Sequence, residues 1–207
     1  MPSYHCENTT VTTQAWFPCP VYVTQAQHKV YEEVQSDLFK KYGELSFKQN
    51  EGWSPDTHEL SIRNNEELFQ NNHLEGCSKF LDFLHINLMT YLDQLGCMQS
   101  REYNITQGWF TKTKKGKYAH LHDHGASDVS GVYYLKTNGD DGNLYFIHPL
   151  KQLSSNYIFN TVTSVDQEMP LKQGQLALWP STLWHGTATN TTDNERISVS
   201  FNIHFRR

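Results

Sequence analysis

The chain has 207 residues, of which 17 are basic and 22 acidic, for a formal charge of −5. That length allows a substantial core, and no composition shift or Ser/Gly/Pro-rich linker marks a boundary, so one domain over 1–207 is expected. No basic block exceeds Lys114-Lys115 and no apolar stretch approaches the roughly 18 residues that span a bilayer, so neither a nucleic-acid partner nor a membrane span is expected.

Four cysteines, Cys6, Cys19, Cys77 and Cys97, show no C-x-x-C spacing, and no positively charged start leads into an apolar run. This pattern predicts a reduced, cytoplasmic protein. In that setting the Asn-x-Thr triplets at Asn8, Asn104 and Asn190 are not glycosylation sites.

Residues 14–23, with two prolines, read as an edge strand. Thr24 and Gln27 resemble a capping box, and Ala26, Val30, Val34 and Leu38 at four-residue spacing predict a first helix that ends at Gly43. The polar stretch Leu45 to Asn72, broken by Gly52 and Pro55, reads as loop, and its Gly52-Trp53-Ser54 could cover a site. A second helix is predicted from about His73 to Leu95, stopped by Gly96. Beyond Cys97 the pattern is β: 104–113, 117–124, 129–136, 142–147, 157–165, 174–180, 184–189 and 195–205, with turn signals such as Asn138-Gly-Asp-Asp-Gly142 between them. In the last strand Ile197, Val199, Phe201 and Ile203 alternate with Arg196, Ser198, Ser200, Asn202 and His204, so one face is apolar and the other keeps specific polar groups. The expected fold is mainly β: a double-stranded β-helix (jelly roll, cupin-like) with two N-terminal α-helices packed on one outer face. Residues 1–100 would form the helical support and 101–207 the β core. A site would sit in the open mouth between the sheets.

Three of the eleven histidines, His120, His122 and His124, stand at alternate positions of one predicted strand, where period two projects them together. That arrangement suits a metal. Lone histidines elsewhere (His5, His28, His58, His73, His85) carry no assigned role.

Four blocks in order carry a resemblance: His122-Asp-His124 with Ser130-Gly131-Val132-Tyr133-Tyr134-Leu135; Gly142-Asn-Leu-Tyr-Phe146-Ile-His-Pro149; Gly174-Gln-Leu-Ala-Leu-Trp-Pro180-Ser181 with His185; and Arg196-Ile-Ser-Val-Ser-Phe201-Asn202. Together they resemble the prolyl-4-hydroxylase-like branch of the Fe(II)- and 2-oxoglutarate-dependent oxygenases, and within it the small oxygenases of marine bacteria and their phages. If the chain is phage-encoded, its cytoplasm would be the host's. The resemblance implies Fe(II) and 2-oxoglutarate as cofactors and O₂ as co-substrate. It implies metal ligation by His122, His124 and His185, binding of the distal 2-oxoglutarate carboxylate by Arg196 and Tyr134, with Ser198 assisting, and no catalytic side chain beyond the metal centre. The activity implied is hydroxylation of a C–H bond, with release of succinate and CO₂.

The chemistry asks for the same residue types. Fe(II) must keep positions open for a chelating oxo-acid and O₂, so three protein ligands are wanted, and imidazole suits that metal. A buried carboxylate is costly unless a guanidinium meets it with paired hydrogen bonds. The sequence departs from the family in having His-x-His where a carboxylate usually follows the first histidine. Three readings therefore stand: His122 with His124, His120 with His122, or a carboxylate from Asp123 or Asp128 brought in by a bulge. Asn202 and Asn104 are candidates to hold a ligand imidazole, His148 could line the mouth, and Trp179 and Trp184 would be walls.

Two other functions fit the same pattern: a three-histidine cupin dioxygenase independent of 2-oxoglutarate, and a non-catalytic or zinc-binding jelly-roll module. The substrate is open between a peptide side chain and a small molecule, because mouth loops at Leu45 to Asn72, His148 to Asn156 and Val165 to Leu171 would select it. The first helix and the edge strand could pair between copies, so a homo-oligomer is an expectation too.

Overall fold

The computed structural model of the chain describes residues 19–49, 59–61, 67, 72–97, 102–149 and 166–206. In order these form β1 (Tyr22–Gln25), α1 (His28–Glu44), β2 (Lys48–Gln49), β3 (Glu59–Leu60), α2 (Ser78–Gln94), β4 (Tyr103–Thr113), β5 (Ala119–His122), β6 (Val129–Lys136), β7 (Leu144–Ile147), β8 (Asp166–Met169), β9 (Gln175–Pro180), β10 (His185–Thr187) and β11 (Arg196–Phe205). Among the described residues the strands make two antiparallel sheets, one ordered β1-β9-β6-β11-β4-β3-β2 and one ordered β5-β10-β7-β8. This is the jelly roll with two helices that strand spacing predicts. No described helix is long and apolar enough to cross a membrane.

Strand alternation explains how the larger sheet serves two cores. Along β11, Ile197, Val199, Phe201 and Ile203 join Val34, Leu38, Phe80 and Leu84 of the helices in one buried cluster. Each such side chain contributes about 1.5–3 kcal/mol by leaving water. The intervening Arg196, Ser198 and Ser200 line a cavity on the opposite, inter-sheet face. The same parity separates Tyr133 from Tyr134. Tyr133 packs under the helices and its hydroxyl accepts from Gln35 Nε2 at 3.2 Å, whereas Tyr134 joins Leu144, Phe146 and Trp179 between the sheets. At Gly131 a Cβ would stand 2.5 Å from the Phe201 ring and 2.7 Å from Leu178, so only glycine lets β6 pass beneath these side chains.

Helix α2 has no capping side chain of its own at Cys77. The cap comes from α1: Asp37 Oδ2 accepts from the amides of Lys79 (2.9 Å) and Phe80 (3.1 Å), satisfying first-turn donors and setting the two helices against each other.

Several predicted boundaries shift. Thr24 stays in β1, paired with Leu176, and α1 begins at His28; Gln27 is its N-cap residue but makes no side-chain cap bond, so the capping box is not formed. Helix α2 begins at Ser78 rather than His73, because residues 73–76 turn, with Gly76 at φ 86°, and Asn72 Oδ1 accepts from the Leu74 amide at 3.0 Å. The short strands β2 and β3 lie where loop was expected, and β8 lies within the expected loop Val165 to Leu171. β2 and β8 are polar edge segments, and β3 is a two-residue strand held between β2 and β4, so each is fixed by pairing with its neighbours and is too short or too polar to show a hydrophobic alternation. The predicted strand 157–165, the segment 14–18 and Gly52-Trp53-Ser54 fall outside the described residues.

Candidate metal centre and anion pocket

Strand β5 lies beside β10 in the smaller sheet, and their register sets His122 directly opposite His185. His124 comes two residues after β5 ends, not within a strand as predicted. Its amide donates to Ser181 O at 2.8 Å, which carries the chain across toward the larger sheet. The three imidazoles nevertheless converge, each offering a ligand nitrogen within 4.8 Å of the others.

His120 does not join them, for a reason that register makes plain. From His185 to Thr187 is two residues, but the paired stretch from His122 back to Ala119 is three. The extra residue in β5 is a bulge that resets side-chain parity. Ala119 and His122 therefore both face the cavity, while His120 and Leu121 are exposed and His120 rests against the Tyr118 ring.

Local hydrogen bonds orient the rings. His122 Nδ1–H donates to His120 O (2.6 Å) and His185 Nδ1–H to Leu183 O (2.9 Å), so Nε2 carries the lone pair in both. His124 Nδ1 lies 3.4 Å from Asn202 Nδ2. Burial favours the uncharged form of all three. It pushes His124 down to about 3, with His122 as a lesser cause, holds His185 well below the usual imidazole range, and lowers His122. Neutral imidazole is the ligating form.

The other end of the cavity is cationic. Arg196 is 2% exposed, at the start of β11. Its Nη1 donates to Asp141 O (2.9 Å) and to Gly142 O, and its Nη2 to the hydroxyls of Thr113 (3.3 Å) and Thr187 (3.2 Å). The Asp141 carboxylate is itself fixed by Thr137 Oγ1 (2.6 Å), Asn138 N (3.0 Å) and Asn194 Nδ2 (2.6 Å), so the turn that presents those carbonyls is rigid. Gly142, at φ 99°, is required there: a Cβ would lie 3.1 Å from Arg196 Nη1 and closer still to Ala188 O. Tyr134 and Ser198, opposite each other across β6 and β11, line the same end. Burial raises the Tyr134 phenol, which stays a neutral donor, and lowers Arg196, which remains charged.

Of the remaining sequence candidates, Asn202 is buried behind His124. Asn104 is exposed. Asp128 Oδ2 accepts from the Phe205 amide at 2.8 Å and lies 3.3 Å from His204 Nδ1, while Asp123 Oδ1 accepts from Gly125 N, so neither carboxylate enters the histidine cluster. His148 does not line the cavity. Trp179 does, with its ring 4.9 Å from His185, whereas Trp184 is 49% exposed. Sequence reasoning passed over Thr113, Thr187, Gln107 and Trp109. Thr187 was within reach, since it stands two residues after His185 and so shares its face; the β4 residues depend on cross-strand register.

Whether these residues fit a metal and an oxo-acid can be judged from the chain itself. The donor set is three neutral imidazoles with their Nδ1 atoms turned to protein partners, which suits a divalent transition metal. Arg196 Nε is buried with no partner among the described residues, and an orphaned guanidinium N–H beside a cavity fits a carboxylate. Both groups fit.

Residues 107–202 match the family model described as "Putative 2OG-Fe(II) oxygenase". The match spans 96 of the 207 residues, the part of the chain that holds the three histidines and Arg196. Solved structures of this oxygenase fold are similar along most of its length. HygX from Streptomyces hygroscopicus, solved with nickel and 2-oxoglutarate bound, has a TM-score of 0.59 at 13% identity, covering 90% of this chain and 83% of its own. A 2OG-Fe(II) oxygenase family oxidoreductase from Burkholderia pseudomallei gives 0.57 at 14%, covering 82% and 77%. A prolyl-4-hydroxylase from Pseudomonas putida gives 0.54 at 12%, covering 91% and 89%. No curated protein matches the chain in sequence.

Proposed function

We propose that the chain is a dioxygenase that hydroxylates a C–H bond of its substrate, with His122, His124 and His185 holding Fe(II) and Arg196, Tyr134 and Ser198 holding the distal carboxylate of 2-oxoglutarate. The observation that carries this reading is the pairing, within one cavity, of three convergent imidazoles and a buried arginine whose Nε has no partner among the described residues. Residues 1–207 are taken as one domain in which the helices brace the β core.

When bound, the metal and oxo-acid would activate O₂, the oxidant: one oxygen atom would go into succinate as CO₂ is released and the other into the C–H bond; that chemistry is theirs. The chain's residues supply placement. The Arg196 fork meets one carboxylate and orients the oxo-acid, while the Tyr134 hydroxyl donates to the same group. Trp179, Leu144 and Val132 wall the path between the two ends and keep water from the reacting atoms. Three neutral ligands leave the centre one unit more positive than a two-histidine, one-carboxylate site, which favours binding of a dianionic oxo-acid.

The test is anaerobic calorimetry of the Mn(II)-loaded protein with 2-oxoglutarate, followed by aerobic assay of succinate with Fe(II). Binding that requires both metal and Arg196, with succinate formed even without substrate, is expected. Metal binding with no heat from 2-oxoglutarate would overturn the proposal in favour of an oxo-acid-independent site.

A further inference from the structure

Behind His124, the inner face of the larger sheet carries a row of polar side chains. Gln107 of β4, Asn202 of β11 and Ser130 of β6 are direct cross-strand neighbours, and Ser181, just past β9, closes the row. All four are at least 94% buried, in a region otherwise walled by Trp109, Trp179 and Phe201. A row this deep costs stability unless each member is satisfied, and its geometry shows how that is met. Ser130 Oγ lies 2.7 Å from Asn202 Oδ1 and 2.9 Å from Ser181 Oγ; its one hydrogen goes to the amide oxygen, so Ser181 donates to Ser130. Asn202 Nδ2 then spends its two hydrogens on Gln107 Oε1 and on His124 Nδ1. The bulge in β4 falls beside this point: Asn202 pairs with Gln107 and Ile203 with Ile105, leaving Thr106, whose hydroxyl donates to Asn202 O at 3.3 Å. The backbone is thus fixed where the amide must aim.

In this arrangement His124 Nδ1 accepts a hydrogen bond, so the neutral ring carries its proton on Nε2. That is opposite to His122 and His185, whose Nδ1 atoms donate. A ring protonated at Nε2 has no lone pair there to give a metal. The row, however, keeps the same number of hydrogen bonds when run the other way. With both amides turned over, Gln107 Nε2 and His124 Nδ1–H donate to Asn202 Oδ1, Asn202 Nδ2 donates to Ser130, and Ser130 donates to Ser181. No bond is lost, because two amides and two hydroxyls are each reversible.

We propose that Asn202 is a positioning residue that sets the tautomer of His124, and that metal loading reverses the Gln107–Asn202–Ser130–Ser181 row so that His124 becomes the third ligand. This rests on the metal reading above and adds to it a two-state device: the protein holds His124 in a non-ligating tautomer until metal arrives.

The experiment uses full-length protein with [¹⁵N]histidine, and Zn(II) as a diamagnetic probe. Ring nitrogens are assigned from their two-bond couplings before and after one equivalent of zinc. Before zinc, His124 should be the Nε2–H tautomer and His122 and His185 the Nδ1–H tautomer; after zinc, all three should be Nδ1–H with Nε2 shifted by coordination. In Asn202→Asp, whose side chain offers oxygens only, His124 should be Nδ1–H already without metal. In Asn202→Leu, zinc affinity from chelator competition should fall roughly 10–100-fold while the His122 and His185 ring bonds persist, which reports an intact fold. If His124 is Nδ1–H throughout, this inference fails and the three-histidine site stands; if His122 and His185 respond to zinc while His124 stays protonated at Nε2, this inference fails and the site is cut back to those two histidines. If no histidine responds to zinc, both fail together.

Discussion

Replacing Arg196 by lysine keeps the positive charge and removes the planar fork. In the native pocket Nη1 is engaged by the carbonyls of Asp141 and Gly142 and Nη2 by two threonine hydroxyls, which leaves Nε and a shared Nη2 arm for an incoming carboxylate. An ammonium has three hydrogens and cannot meet both turn carbonyls and make two bonds to the carboxylate. One charge-assisted hydrogen bond to the carboxylate is lost, worth about 2 kcal/mol, and the dissociation constant for 2-oxoglutarate should rise about thirtyfold. Anaerobic calorimetry on Mn(II)-loaded protein measures this directly. A urea titration of both proteins should show a separate loss of about 1–3 kcal/mol from carbonyls left without a donor. Equal 2-oxoglutarate affinity in the two proteins, within a factor of two, would refute the assignment of Arg196 as the anion anchor.

Four smaller tests probe other parts of the reasoning. Thr187→Val keeps the shape beside Arg196 but removes the hydroxyl, and should weaken 2-oxoglutarate about fivefold in the same calorimetric assay, the worth of one hydrogen bond of about 1 kcal/mol. His185→Ala should abolish stoichiometric metal uptake by elemental analysis, whereas His120→Ala, on the exposed side of the bulge, should leave it unchanged. Gly131→Ala forces a methyl against Phe201 and should lower unfolding stability by about 1–3 kcal/mol in urea. Cys77 is 1% exposed and its thiol is pushed up to about 11, mainly by burial. Its thiolate is scarce below that pH, so at pH 8 iodoacetamide should label exposed Cys19 in the native protein and Cys77 only after denaturation.

Much of this was legible in the sequence because period two is a strong signal over long strands. The alternation of Ile197, Val199, Phe201 and Ile203 with Arg196, Ser198 and Ser200 assigned both faces of β11 correctly, and the core helices announced themselves by apolar spacing. The illegible parts share a cause. Which of His120, His122 and His124 turn inward depends on one extra residue in β5 and on a backbone bond from His124 to Ser181, and neither leaves a mark in residue type. The missing Asp after His122 drew attention to Asp123 and Asp128, yet those carboxylates are spent on backbone amides nearby. Asp37 capping a helix 41 residues further on, and Thr113 reaching Arg196 from a neighbouring strand, are tertiary facts that no local window contains.

The contact between Thr187 and Arg196 also gives the pocket a measure of length. His185 and Thr187 are two residues apart on β10, about 6.7 Å along a strand, and Thr187 Oγ1 lies 3.2 Å from the guanidinium. One strand therefore spaces the proposed metal ligand from the proposed anion anchor by a fixed number of peptide units, and a strand does not stretch. Under the proposed function, β10 is a gauge for the carbon chain of the oxo-acid. A four-carbon homologue falls short of one end and a six-carbon homologue must buckle, so selection among dicarboxylates is made by backbone pitch and survives any change in the loops at the mouth.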